Sequence, residues 1–227
     1  MTEHHASGLT IRQFVWDLVD SNSYLISGNG SALLIDAADI EELYQAVEKE
    51  KELTIILTHS HFDHICGLNK IRDLRPDAKV IATRKCSENI GNRYKNMSSA
   101  ANAFMTFYLK RPFDGCIKSI CCDPADQTLE GETDLYWNGH KIQLVSMYGH
   151  SNDSLIAIID EVLVFSGDSL LSIPTVTRFP GGSTKRFWEE DIPKLRTIDA
   201  KYVFPGHGQP GIKDEMLNVN IKCYERK

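Results

Sequence analysis

Leu57-Thr58-His59-Ser60-His61-Phe62-Asp63-His64 is the stretch that decides the reading of this chain. Four metal-capable side chains, His59, His61, Asp63 and His64, occupy its last six positions. The stretch follows a β-branched and apolar run at 54–57, of the kind found in buried strands. It precedes residues 65–74, whose apolar spacing is helical and which Pro76 ends. Along a regular strand or helix these four side chains could not face one point; at a strand end that turns into a helix they can. Imidazole suits zinc, iron and related metals, and carboxylate suits harder ions. A site offering both can hold two metals that share a water.

Three later segments repeat the same logic. His150 follows Tyr148-Gly149 at the end of an apolar run, Asp168 follows Ser166-Gly167, and His207 follows Pro205-Gly206. Glycine permits a tight turn at a strand end, so that the next side chain can face a shared cleft. A lone histidine after glycine carries little information. Four segments built alike in one chain point to a single metal centre.

Working outward, residues 11–16, 23–27 and 32–36 read as strands, with Gly28-Asn29-Gly30 as a hairpin turn. Residues 39–51 have helical spacing, with Asp39 placed as the N-cap. Residues 79–83 return to strand. Segment 84–120 reads as one or two helices, including the alanine- and aromatic-rich 100–109. Strands follow at 135–137, 142–146, 154–159 and 162–165, with Asn138-Gly139 as a turn. A helix near 188–195 and a strand at 202–204 complete the order. Two sheets carrying helices on their outer faces accommodate it.

The 227 residues suit a single domain, expected over 1–227, at roughly 100–200 residues per domain. A hydrophobic share of 42% and a charged share of 25% exclude a disordered or collagen-like chain. A net charge of −6 gives no support to nucleic-acid binding. No secretory signal opens the sequence and no apolar run approaches the roughly 18–20 residues of a membrane span. A cytoplasmic protein with no membrane partner is expected. The six cysteines contain no Cys-x-x-Cys pair and are expected to be reduced, with Cys121 and Cys122 read as small buried or lid residues. His4 and His5 are expected in a mobile terminus and His140 on the surface. Trp188 is read as docking the late helix, with Trp16 and Trp137 as further packing residues.

His59-Ser60-His61-Phe62-Asp63-His64, followed in order by His150, Asp168 and His207, resembles the metallo-β-lactamase-fold hydrolases over about residues 21–208. That resemblance implies an α/β fold, an αββα four-layer sandwich. It also implies that His59, His61 and His150 bind one metal, that Asp63, His64 and His207 bind a second, and that Asp168 bridges them. Two divalent ions are expected, zinc foremost, with iron or manganese as alternatives. Asp36 matches the family's early strand-end aspartate, usually a structural group behind the ligands. Phe165-Ser166-Gly167-Asp168-Ser169-Leu170, Pro180-Gly181-Gly182-Ser183 and Pro205-Gly206-His207-Gly208 are most similar to glyoxalase II and its small relatives. The implied reaction is hydrolysis of a small ester or thioester, with Asp63 as the catalytic residue that orients the attacking water. The match has departures. Ser151-Asn152-Asp153-Ser154 stands where the hydrolases commonly have Thr-Pro-Gly-Ser, Leu171 stands where lactonases often have Tyr, and only 209–227 follow the last motif.

Segment 84–120 carries seven basic and two acidic residues, net +5, so the rest of the chain carries −11. It is read as a lid over the cleft, with Phe104, Phe107, Tyr108, Lys110 and Arg111 as candidate contacts to an anionic small-molecule substrate. The competing readings of this segment are a solvated basic helix with a core-facing stripe, and a homodimer contact. Competing functions are a single-iron persulfide dioxygenase, a phosphodiesterase, a lactonase and a non-catalytic binding protein.

Overall fold

In the computed structural model of the protein, residues 1–225 are described. The first half of the chain builds a seven-stranded sheet from β1 (Thr2–Ala6), β2 (Leu9–Trp16), β3 (Ser21–Gly28), β4 (Ser31–Ile35), β5 (Glu52–Ile56), β6 (Lys79–Thr83) and β7 (Gln127–Leu129). The first four strands form antiparallel pairs. The last four are parallel and crossed by helices: α1 (Glu41–Val47), α2 (Phe62–Ile65), α3 (Leu68–Leu74), α4 (Arg84–Ile90) and α5 (Ala101–Leu109). The second half builds a six-stranded sheet from β8 (Thr133–Trp137), β9 (His140–Met147), β10 (Ser154–Ile159), β11 (Leu163–Gly167), β12 (Tyr202–Pro205) and β13 (Gly211–Ile212). Its helices are α6 (Thr184–Arg186), α7 (Ile192–Thr197) and α8 (Lys213–Glu225).

Strand periodicity explains the layering. In β4, Leu33 and Ile35 enter the core between the sheets, while Ala32 and Leu34 pack under the helices. In β10, Leu155, Ala157 and Ile159 face the same inter-sheet core, and Ile156 and Ile158 face the late helices. Both faces of these strands are buried, so they read as continuous apolar runs. The outer face of the first sheet packs Leu25, Ile55 and Val80 against Leu43, Leu68 and Ile71. The outer face of the second packs Val164 and Val203 against Phe187, Leu195 and Leu217. Three apolar clusters thus separate four layers, helices–sheet–sheet–helices, as expected. No helix among the described residues is long and apolar enough to cross a membrane.

Several local expectations are corrected. Asp39 is not the N-cap: α1 starts at Glu41 after Ile40, and Asp39 instead accepts the Tyr44 hydroxyl at 2.6 Å. The helix read over 65–74 is two helices broken at Gly67, where a Cβ would lie 2.3 Å from the Ala38 carbonyl oxygen. The late helix begins at Thr184, capped by Ser183, and contains a π-turn over Phe187–Asp191. His4 and His5 lie in β1, paired to β2, and His4 Nε2 is 3.0 Å from Gln13 Oε1. His140 is half-buried against Asp160 at 2.6 Å. Cys122 is buried and Cys121 exposed. Trp188, as expected of a residue docking the late helix, packs edge-on to Phe187 at 5.0 Å beside the outer cluster.

Candidate metal centre

β9 and β11 both run antiparallel to β10, and β12 runs parallel to β11. The three strands therefore point the same way, and their ends deliver His150, Asp168 and His207 to one edge of the sandwich. On the other sheet, the turn after β5 carries His59 and His61 into α2, whose first turn holds Asp63 and His64. Backbone hydrogen bonds join these ends across the sheets: Leu155 N–H donates to Thr58 O at 2.7 Å, and Asn22 N–H to Gly206 O at 2.7 Å.

All seven side chains converge. Ligand atoms of His59, His61 and His150 lie within 4.8 Å of one another, as do those of His59, His64 and Asp168 and those of Asp63, His64 and His207. His61 Nδ1 is 3.1 Å from His59 Nε2 and 3.0 Å from His150 Nε2. A tetrahedral ion with nitrogen ligands would separate them by ~3.3–3.4 Å, so the ring nitrogens already stand close to the spacing that one ion needs. Asp168 faces both groups: Oδ1 is 3.5 Å from His64 Nε2, and Oδ2 is 3.5 Å from His150 Nε2 and 3.4 Å from His207 Nε2. Asp63 Oδ2 lies 3.2 Å from His207 Nε2. His64 Nε2 and Asp168 Oδ1 are buried without a hydrogen-bond partner. Such orphaned atoms are costly in protein alone and suit coordination to divalent ions.

The rear of the site fixes the imidazoles. His150 Nδ1–H donates to Val176 O at 2.7 Å and His207 Nδ1–H to Val19 O at 3.0 Å. His64 Nδ1 is 2.9 Å from Asp36 Oδ2, and His59 Nδ1 is 3.1 Å from Thr58 Oγ1, whose hydroxyl donates to the same Asp36 oxygen at 2.7 Å. These bonds leave the Nε2 atoms of His59, His64, His150 and His207 toward the centre. Asp36 itself sits at φ 58°, and its Oδ1 takes the Thr58 N–H at 2.7 Å. Gly206 allows the closest approach: a Cβ there would meet Asp168 Oδ1 at 2.3 Å and His64 Cε1 at 2.8 Å.

Electrostatics divide the histidines. Burial pulls His59, His61 and His150 below their ordinary value. Burial also acts against His64 and His207, but nearby carboxylates, chiefly Asp63 and Asp168, outweigh it and push them up to about 9 and about 12. Asp63, although buried, is held at about 2 by His64 and His207.

The candidate substrate contacts are spread along α5 and just beyond it. Phe104 is half-buried against Phe62 and Phe179, and Tyr108 stacks on Phe104. Phe107 projects into solvent, 83% exposed, and Lys110 and Arg111 are exposed. Two contributors escaped the sequence reading. Phe179, before Pro180-Gly181-Gly182, brings its ring centroid to 5.6 Å from His61 and 5.8 Å from His150. Asp191, in the π-turn, accepts the Tyr148 N–H at 3.0 Å and the Gly149 N–H at 2.6 Å, and so holds the turn that delivers His150. The only signal for Phe179 was an aromatic residue beside a glycine-rich turn; Asp191 gave none.

Residues 16–207 match the family model of the metallo-beta-lactamase superfamily. "Beta-lactamase-like protein 2 homolog" of Drosophila melanogaster is 26% identical over 84% of this chain and 59% of its own length. The chain thus spans under two thirds of that relative. "Probable metallo-hydrolase YqgX" of Bacillus subtilis is 26% identical over 84% of this chain and 86% of its own. "Hydroxyacylglutathione hydrolase cytoplasmic" of Arabidopsis thaliana is 34% identical over 33% of each chain. Among solved structures, the BLEG-1 B3 metallo-beta-lactamase superposes with a TM-score of 0.75 at 22% identity, covering 92% of this chain and 97% of its own. That likeness concerns the fold.

Proposed function

The chain belongs to the metallo-beta-lactamase superfamily, and from that membership we propose a dinuclear metal-dependent hydrolase that cleaves a small ester or thioester, as glyoxalase II does. The observation that carries this reading is the convergence of seven metal-capable side chains from four strand ends, two of their atoms buried and unpartnered. His59, His61 and His150 would hold one ion, Asp63, His64 and His207 the other, with Asp168 between them. When bound, divalent ions supply Lewis acidity, so that water ionises near neutral pH and a carbonyl oxygen is polarised.

The chain's own residues do the rest. The Asp63 side chain is partly exposed and retains its charge, so it can accept a hydrogen bond from the attacking water and orient it. Asp36, Val176 O and Val19 O keep the imidazoles aimed while charge develops. Zinc is the proposed metal, with iron and manganese as the alternatives. Segment 84–120 is proposed as a lid whose +5 charge favours an anionic substrate. Six unpaired cysteines fit the proposed cytoplasmic setting.

The test is metal analysis of purified protein together with turnover of S-acyl thioesters. About two divalent ions per chain, with turnover lost on chelation and on Asp63→Asn, is the expected outcome. One iron per chain with oxygen uptake on a persulfide would overturn the proposal.

A further inference from the structure

Four rings from three parts of the chain form a row beside the metal-capable cluster. Phe179 stands against His61 and His150. Phe104 meets Phe179 at 5.9 Å and Phe62 at 6.3 Å, and Tyr108 extends the row by stacking on Phe104 at 6.0 Å. Within the cluster, the side chains of His207, Asp63 and Asp168 are 22%, 12% and 9% exposed, whereas that of His64 is fully buried. A group reaching the cluster therefore meets polar side chains at His207 and Asp63 and an aromatic ring beside His61 and His150. Phe104 and Phe179 remain half-buried and Tyr108 is 49% exposed, so apolar ring surface stays in water beside a polar centre. Through Phe179 that ring surface adjoins His61 and His150, and edge and face contacts among its rings suit another ring.

We propose that this row of rings is an acyl pocket, selecting substrates whose acyl part is a bulky apolar group, ring-bearing above all, over acetyl. The proposal rests on the hydrolase reading. Water oxygen bonds to the acyl carbon and the carbon–sulfur bond of a thioester breaks. The electron pair leaves on sulfur, which takes up the proton released by the water, giving a carboxylic acid and a thiol. Phe104 and Phe179 act before that step, by seating the acyl group so that its carbonyl faces the cluster.

The experiment compares S-phenylacetyl, S-hexanoyl and S-acetyl N-acetylcysteamine on the metal-loaded enzyme, wild type, Phe179→Ala and Phe104→Leu. Phenylacetyl is expected to exceed acetyl at least tenfold in kcat/KM, with hexanoyl between them. Each substitution should shrink that ratio at least threefold. Calorimetry adds a readout without turnover: phenylacetate should bind wild type about tenfold more tightly than acetate, and Phe179→Ala should erase the difference. Equal use of the acetyl and phenylacetyl thioesters, or an equal fall for both in Phe179→Ala, would overturn the acyl pocket while leaving the hydrolase standing. No turnover of any thioester by protein carrying two metals would instead sink the hydrolase reading beneath it.

Discussion

Asp36→Asn separates holding the chain together from aiming a ligand. Asp36 is 1% exposed and accepts three hydrogen bonds, from Thr58 N–H at 2.7 Å, the Thr58 hydroxyl at 2.7 Å and His64 Nδ1 at 2.9 Å. Asparagine matches its shape and keeps one oxygen for Thr58 N–H. The amide nitrogen then occupies the place of Oδ2. Thr58 can adapt, because its hydroxyl also accepts. His64 gives up one proton when a metal binds, and the one it keeps cannot stay on Nδ1 facing an N–H donor. Its proton moves to Nε2, the atom now aimed at Asp63 and Asp168, and Nε2 is lost as a ligand until that proton is displaced. Removing such a supporting partner costs ~10–100-fold in metal affinity, equivalent to about 1.4–2.7 kcal/mol. Stability should fall by about 1–3 kcal/mol, the range for a buried polar group left without its partner. A competition titration against a colorimetric chelator at pH 7.5, with thermal unfolding of the metal-free protein, reads both quantities. Weakening should concentrate in the metal that His64 would hold. An unchanged affinity for both metals in a folded Asp36→Asn protein would refute the tautomer argument.

Gly206→Ala drives a Cβ to 2.3 Å from Asp168 Oδ1, and should leave a folded protein with kcat lowered ~100-fold, the cost of a misplacement near 1 Å; wild-type kinetics would show that the close approach does not matter. The metal-free protein should be most stable near pH 6.5. Below that value the unfolded chain protonates His59, His61 and His150 more readily than the folded one does, so their stability contribution falls as pH drops. Above it, the folded chain alone still holds protons on His64, up to about 9, and on His207, up to about 12, so stability also falls as pH rises. Metal loading displaces those protons and should remove the alkaline decline; a melting temperature of chelated protein that climbs steadily to pH 9 would contradict this. Reversing Lys110 and Arg111 to Glu should lower kcat/KM for an anionic thioester more than for a neutral one, and less so at high salt; equal losses would remove the steering role.

Much of the centre is legible because its information is local. Histidines spaced by two, with a carboxylate beside them at the end of an apolar run, advertise a metal site whatever surrounds them. The glycines before Asp168 and His207 mark strand ends in the same way. The elements that escaped reading lack a local signature. β1 carries Glu3-His4-His5, a polar string that becomes strand only because β2 lies beside it. α8 has weak apolar spacing, and beside Met216 and Leu217 it is anchored by the buried Asn220, which accepts the Thr175 N–H at 2.7 Å and donates to Leu171 O at 3.1 Å.

The chain's order of residues was enough to determine which atoms are available as ligands, the order of most strands and helices and the uneven charge of segment 84–120. Alternating apolar positions and clustered donors are properties of neighbouring residues, so they need no tertiary context. Tertiary structure alone decided which imidazole nitrogen faces inward, since that depends on Asp36, Val176 and Val19, each at least 26 residues from its histidine: the separation is 28 for His64–Asp36, 26 for His150–Val176 and 188 for His207–Val19. It also decided that Phe179 and Phe104 stand together near the cluster, because Phe104 is on α5 and Phe179 in the loop before α6, and which side chains of separate elements meet is set by packing.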